Sequence, residues 1–342
     1  MSAYDDLKVS LKQKPRVWGV TGVAGFIGSH LLEELLKLDQ KVVGLDNFAT
    51  GYQKNLDEVK SLVGEKAWQN FKFIEGDITN PDDCQRFAKE AEVVLHQGAL
   101  GSVPRSIENP YETNRVNVSG TLNVFDACRN NNIKRVVYAS SSSIYGDHPG
   151  LPKKEDLLGK PLSPYAVSKL VNEIYAEVYA LNYGLETTGL RYFNVFGPRQ
   201  DPTGAYAAVI PIWASSFIKG QDIFINGTGE TSRDFCYVKN VVQANLLAAT
   251  TTDQAAINQA YNVALNNRVS LTELFELIKK ALLPNFPELK NKSPEYREFR
   301  AGDIMHSQAD ISKIQSLLRY EPTHTVSEGL AEAISWYSQN VV

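Results

Sequence analysis

The feature that most limits what this chain can fold into is a glycine spacing near its start. An apolar run at 17–21 leads into Gly22-Val23-Ala24-Gly25-Phe26-Ile27-Gly28, and an amphipathic pattern follows at 26–37, with Ile27, Leu31, Leu32 and Leu35 on one face. Strand, glycine turn and helix in that order make a cradle for a dinucleotide phosphate. Gly22 permits the tight turn, Gly25 lets the backbone approach a pyrophosphate, and Gly28 lets helix and strand pack closely. The helix N-terminus, opened by Phe26 and Ile27, offers free N–H groups and partial positive charge. Asp46 closes the next apolar run. A carboxylate there accepts the adenine ribose hydroxyls and repels a 2′-phosphate, so NAD is expected rather than NADP.

The rhythm of the first half agrees. Short β-branched runs at 17–21, 42–46, 71–76, 93–97, 136–140 and 187–192 alternate with helical patterns at 26–37, 116–130 and 165–181. Near-continuous apolar strands separated by helices predict an α/β fold, a doubly wound parallel sheet of the Rossmann type. The second half is less regular. Glycine and proline are frequent at 197–230 and 283–303. We expect a nucleotide-binding lobe over 15–196, rejoined by 234–264 and 309–342. A smaller substrate lobe is expected over 197–233 and 265–308, and 1–14 is an extension of unassigned role.

Composition narrows the function. A net charge of -4 gives no basic field for nucleic acid. Cys84, Cys128 and Cys236 are odd in number and widely spaced, and the five histidines are scattered, so neither disulfides nor a metal site is expected. The first fifteen residues lack the apolar stretch of a secretory signal, and no run is long enough to span a membrane. A cytoplasmic protein without membrane partners is the expectation.

The chemistry points to the end of the fifth run. Ser140, Ser141, Ser142 and Ser143 place hydroxyls at the mouth of the sheet, where such folds bind ligands. Ser163-Pro164-Tyr165-Ala166-Val167-Ser168-Lys169 then opens a helix, with Ser163 as N-cap and Pro164 at its first position. Tyr165 and Lys169 lie one turn apart on one face. The lysine ammonium and the helix N-terminus favour a phenolate, which makes Tyr165 a candidate general base.

Together these motifs resemble the extended short-chain dehydrogenase/reductase superfamily, and within it the UDP-hexose 4-epimerases. The resemblance runs through nearly the whole chain after Pro15 and is nearest to bacterial UDP-N-acetylglucosamine 4-epimerases of surface-polysaccharide pathways. It is carried by the segments 45–51, 99–106, 191–197, 204–211 and 232–235. One departure is Gly98-Ala99, where the family has two alanines after His96-Gln97. The resemblance implies a UDP-sugar substrate, tightly held NAD, and C4 inversion through a transient 4-keto sugar. It also implies a homodimer built through a four-helix bundle, for which 116–130 and 165–181 are candidate helices.

By position, Ser141, Tyr165 and Lys169 match the catalytic residues. Asn47, Asp77, Ile78 and Gln97 join Gly22, Gly25, Phe26, Ile27 and Asp46 around the cofactor. Ser102, Ser142, Ser143, Asn194, Arg233, Arg300 and Asp303 match the substrate contacts. Ser307 falls where epimerases of unmodified hexoses carry a tyrosine, so it implies room for a 2-acetamido group. UDP-glucose or UDP-uronate epimerisation stays open beside this reading. A 4,6-dehydratase would need carboxylates where Ser142 and Ser143 stand, and a non-catalytic NAD-binding regulator could dispense with the Tyr-Lys pair.

Overall fold

A computed structural model describes residues 2–203, 207–299 and 305–340. Seven parallel strands form the central sheet: β1 (Val17–Thr21), β2 (Lys41–Asp46), β3 (Phe71–Glu75), β4 (Val93–His96), β5 (Arg135–Ser141), β6 (Glu186–Tyr192) and β7 (Gln259–Val263). Their order is β7-β6-β5-β4-β1-β2-β3. The chain therefore runs outward from β1 in one direction, then restarts on its other side at β4. That reversal opens a crevice at the carboxyl ends of β1 and β4.

Alternate residues feed opposite faces of this sheet. Trp18, Val20, Val42 and Leu95 pack into one cluster with the helix Phe26–Lys37, while Val43, Leu45, Val94 and Val136 pack into another with Phe87 and Phe125. Leu31, Leu32, Leu35 and Leu36 are fully buried in the first cluster. Each such side chain contributes about 1.5–3 kcal/mol on burial. The expected α/β doubly wound sheet is present, and each of the six expected strands ends within one residue of its expected limit.

Three features differ from expectation or extend it. Residues 2–14, left without a role, form the helix Ala3–Gln13, closed by a Ser2–Asp5 capping box. Tyr4 and Leu11 are buried, and the Leu11 carbonyl accepts from the buried Gln40 side chain at 2.9 Å. The single helix expected over 116–130 is instead a π-helical turn, Arg115–Ser119, followed by Gly120–Asn130. The side chain of Asn117 bonds the backbone of Leu100 and the hydroxyl of Ser168, which draws that turn out of α-helical register.

Finally, the last helix, Val326–Asn340, buries Leu330, Ile334 and Tyr337 in a third cluster with Trp213, Phe217 and Phe275. Only the preceding helix, Ser312–Leu318, turns Ile314 and Leu318 toward the sheet. An apolar helical face reports that it has a partner, not which one. Among the described residues no helix is long and apolar enough to cross a membrane, and no group of His, Cys, Asp or Glu could hold a metal ion. The three cysteines are free and buried.

Candidate active site

A cleft of about 660 Å³ lies over the carboxyl ends of the strands, and its lining includes Gly22, Gly25, Asp46, Ser141, Tyr165 and Lys169. Its floor is backbone. Gly22 has φ +67°, and a Cβ there would meet the Gly98 nitrogen at 2.8 Å. A Cβ on Gly28 would lie 2.0 Å from the Gly22 carbonyl oxygen, so only glycine lets the helix start against the turn. Gly25 is the N-cap and has no side-chain cap, which leaves the first N–H groups of Phe26–Lys37 directed at the cleft. Phe26 and Ile27 line it beside them. This side-chain-free cradle fits a pyrophosphate.

Asp46 stands at the end of β2. Its carboxylate accepts from the backbone N–H of Ala24 at 2.9 Å and of Phe48 at 2.8 Å. Burial raises its pKa, while these donors and the Asn47 N–H oppose the rise. Asn47 donates to Asp77 at 2.9 Å, which also accepts from the Thr79 N–H. Burial works against the Asp77 charge, but the bonds from Thr79 and Asn47 and the Arg115 charge outweigh it and lower the pKa. Ile78 lines the cleft as well, and it would collide with a Cβ on Gly120 at 2.8 Å. Gln97 is held at both ends, donating to Asn245 and accepting from Tyr192.

The Tyr-Lys helix begins as the capping residues require. Ser163 accepts from the Ala166 N–H at 3.1 Å and Pro164 occupies the first turn of Pro164–Tyr183. Ser141, last residue of β5, accepts from the Ser143 N–H and hydrogen-bonds the Tyr165 side chain. Lys169 donates to the Ala139 carbonyl at 2.8 Å and sits 6.0 Å from the centre of the Tyr165 ring. Burial brings its pKa down to about 8, with the Glu173 charge pulling back. The expected phenolate is not favoured in this arrangement. Burial raises the Tyr165 pKa, and only the Ser141 hydrogen bond lowers it. The lysine donates to a backbone carbonyl rather than to the phenol oxygen.

Below the pair lies a buried ionic network. Glu173 pairs with Arg191 at 2.7 Å and accepts from Ser140, and Arg191 also donates to Tyr145. It anchors the helix carrying Tyr165 to β5 and β6.

The substrate-side residues are more scattered. A second cleft of about 380 Å³ shares Asn194 and Ala207 with the first and is lined by Arg233, Phe224 and Arg297. The Arg297 guanidinium lies 3.2 Å from the centre of the Phe224 ring. Asn194 has φ +26° and donates to the Asp234 carbonyl. Ser102 lines the first cleft and caps the short helix Val103–Glu108. Ser142 and Ser143 belong to a 3-10 turn, and the Ser143 hydroxyl is buried with no partner among the described residues. Ser307 lines neither cleft; its N–H donates to the Ser232 carbonyl, beside Arg233. Arg300 and Asp303 lie outside the described residues.

Sequence reasoning missed the ties that hold the clefts together. Tyr52 donates to Asp201 at 2.6 Å across the mouth of the first cleft. Arg199, buried, reaches Glu33 and Glu58. Their spacing in sequence carries no periodic or motif signal.

The chain matches the NAD dependent epimerase/dehydratase family over residues 18–264. It belongs to that family. NAD is therefore its cofactor. A putative UDP-glucose 4-epimerase of Methanocaldococcus jannaschii is 36% identical over 323 residues, 94% of this chain and 98% of the relative. Among solved structures, a UDP-N-acetylglucosamine 4-epimerase from Methanobrevibacter ruminantium, in complex with UDP-N-acetylmuramic acid, is 38% identical with a TM-score of 0.87, covering 96% of this chain and 99% of that one. A UDP-glucose 4-epimerase of Thermus thermophilus in complex with NAD is 32% identical with a TM-score of 0.81, covering 95% and 100%. The family relationship thus spans both clefts rather than the nucleotide fold alone.

Proposed function

We propose that this protein is a UDP-sugar 4-epimerase that interconverts UDP-N-acetylglucosamine and UDP-N-acetylgalactosamine. The observation that carries the reading is convergence: Ser141, Tyr165 and Lys169 meet in the dinucleotide cleft, and that cleft runs through Asn194 into a second one lined by Arg233. Tyr165 takes the proton from the C4 hydroxyl, while Ser141 holds the C4 oxygen and steadies the phenol. Lys169 binds beside the cofactor ribose and adds positive charge to the site as the proton moves. What NAD supplies when bound is a reversible hydride acceptor and a positively charged ring. The 4-keto sugar turns over, Tyr165 returns its proton to the C4 oxygen, and C4 is inverted without net oxidation. Asn194, Arg233, Arg300 and Asp303 hold the UDP during the turn. Guanidinium groups suit this task because their planar fork can bond a diphosphate bidentately.

The choice of sugar rests on the acetylated-sugar epimerase among the structural relatives and on the sequence match at Ser307, which lines neither cleft but bonds Ser232, beside Arg233. Purified protein is incubated with UDP-N-acetylglucosamine, UDP-glucose or UDP-glucuronate, with no cofactor added, and anomeric protons are followed by NMR. Fastest inversion of the acetylated sugar is expected. Inversion of UDP-glucose or UDP-glucuronate instead would move the substrate, and no inversion with NAD added would defeat the enzyme reading. Ser307→Tyr should abolish acetylated turnover and spare UDP-glucose. We place the activity in the cytoplasm, supplying sugars for surface polysaccharide.

The working unit is a homodimer. The short helices Val103–Glu108 and Pro110–Asn114 expose Ile107 and Tyr111, and Pro164–Tyr183 exposes Ile174, Val178 and Leu181. No large apolar side chain of 116–130 is among the exposed ones, so 103–114 replaces it as the partner of 164–183 in the bundle. Apolar surface repeated along one long helix calls for a covering partner.

A further inference from the structure

We infer that Asp234 is a positioning residue for nucleoside-diphosphate binding, tying together segments that carry the substrate contacts. This rests on the UDP-sugar reading above. Asp234 is fully buried and lines neither cleft, so it does not touch substrate. Its two carboxylate oxygens are spent on different parts of the chain. One accepts from the Leu265 N–H at 3.0 Å, on the loop after β7, and the other from the Ala309 N–H at 3.1 Å. The backbone of Asn266 and Asn267 bonds it too, and these four donors work against burial, which pushes the carboxyl up to about 7.

The consequences reach three candidate contacts. The Asp234 carbonyl accepts from the Asn194 side chain at 3.2 Å. Arg233 is its chain neighbour, and its strand Ser232–Arg233 pairs with Val269–Ser270, just beyond the loop that Asp234 holds. The segment 305–309 runs along the other side: Ser232 donates to the Met305 carbonyl at 2.9 Å, and Ser307 donates to the Ser232 carbonyl at 3.1 Å. Its far end is fixed by Asp234 at Ala309, and by Gln308, whose side chain bonds Asn266. One carboxylate thus sets Arg233, Asn194 and Ser307 in a single frame. An amide cannot replace it, because its NH₂ would face a backbone N–H and leave a buried donor unpaired.

The test compares wild type, Asp234→Asn and Gln308→Ala. UDP affinity is measured by calorimetry, KM and kcat with UDP-N-acetylglucosamine, and copurifying NAD by absorbance. Asp234→Asn should weaken UDP binding and raise KM at least about tenfold, with kcat within about threefold and NAD content unchanged. Gln308→Ala should shift the same quantities by roughly two- to fivefold. Unchanged UDP affinity in a folded Asp234→Asn overturns the proposal. So does a joint fall of NAD content, kcat and melting temperature, which is a general loss of structure. Should Asp234→Asn not fold, wild-type UDP affinity in Gln308→Ala overturns it. Wild type that binds UDP but inverts no sugar sinks the epimerase reading alone; wild type that does not bind UDP sinks both.

Discussion

The two ends of the site are built from different materials. At the cofactor end the candidate contacts are mostly backbone, with Gly22, Gly25 and Gly28 in one short segment, and the Asp46 carboxylate is fixed by the backbone N–H groups of Ala24 and Phe48. At the substrate end the candidate contacts are side chains, such as Asn194 and Arg233, set by ties between distant segments, as where Asp234 joins the backbone of Leu265 to that of Ala309. Backbone geometry tolerates almost no change but needs little support. A side-chain frame tolerates change at each tie but depends on many of them. This difference suits a protein that keeps one cofactor and must let a sugar turn.

Four changes would break or sharpen that contrast. The largest effect is expected from Gly28→Val. Its Cβ would overlap the Gly22 carbonyl oxygen at 2.0 Å, so the cost should exceed the about 1–3 kcal/mol usual for overpacking. Copurifying NAD and all turnover should vanish while UDP binding survives. If NAD is retained, the cradle is not the rigid part.

Next comes Tyr165→Phe, which removes one oxygen and leaves both clefts. Stopped assays should show kcat lower by about 10²–10⁴-fold, with NAD content and UDP affinity as in wild type. Normal turnover would remove Tyr165 from the mechanism.

Lys169→Met tests the cost of a buried charge. The folded-state pKa of Lys169 is depressed from 10.5 to about 8. The folded protein therefore binds fewer protons than the unfolded chain between these values, and this group's contribution to stability rises with pH across that window. Below about pH 8 its cost is fully present, on the order of 3 kcal/mol. The variant should melt higher than wild type at pH 7 yet lose activity, and the gap should close as pH rises from about 8 toward 10.5. A lower melting temperature at pH 7 would mean that the bond to Ala139 outweighs the desolvation.

The smallest effect is expected from Tyr52→Phe, which loses one partly exposed hydrogen bond to Asp201. Stability should change by no more than about 1 kcal/mol. Exchange of bound NAD against labelled NAD should quicken, and an unchanged rate would show that this tie does not close the cofactor end.

Legibility in the sequence followed the same division. The runs that became β1 to β6, the glycine turn, Asp46 and the Ser163-capped helix are local patterns. Each depends on residues within a few positions of one another, where a turn, a cap or a parallel strand demands particular side chains. The tail helix shows the limit: its apolar face was plain, but its placement with Trp213 and Phe275 was not. The same holds for 116–130, where Asn117 breaks the helix through bonds to Leu100 and Ser168.

The sequence by itself determined the parallel sheet, the glycine turn and the Tyr165–Lys169 pair on one helix face, because short-range geometry restricts which residues can stand there. Ser141 is singled out from its serine run only by family resemblance. Tertiary structure alone decided that burial raises the Tyr165 pKa, that Lys169 turns to Ala139, and that Asp234 binds Leu265 and Ala309 together. An aspartate or a tyrosine has no signature for a partner tens of residues away. What it bonds, and what charge it then favours, follow from where the folded chain brings it and how much water is left around it.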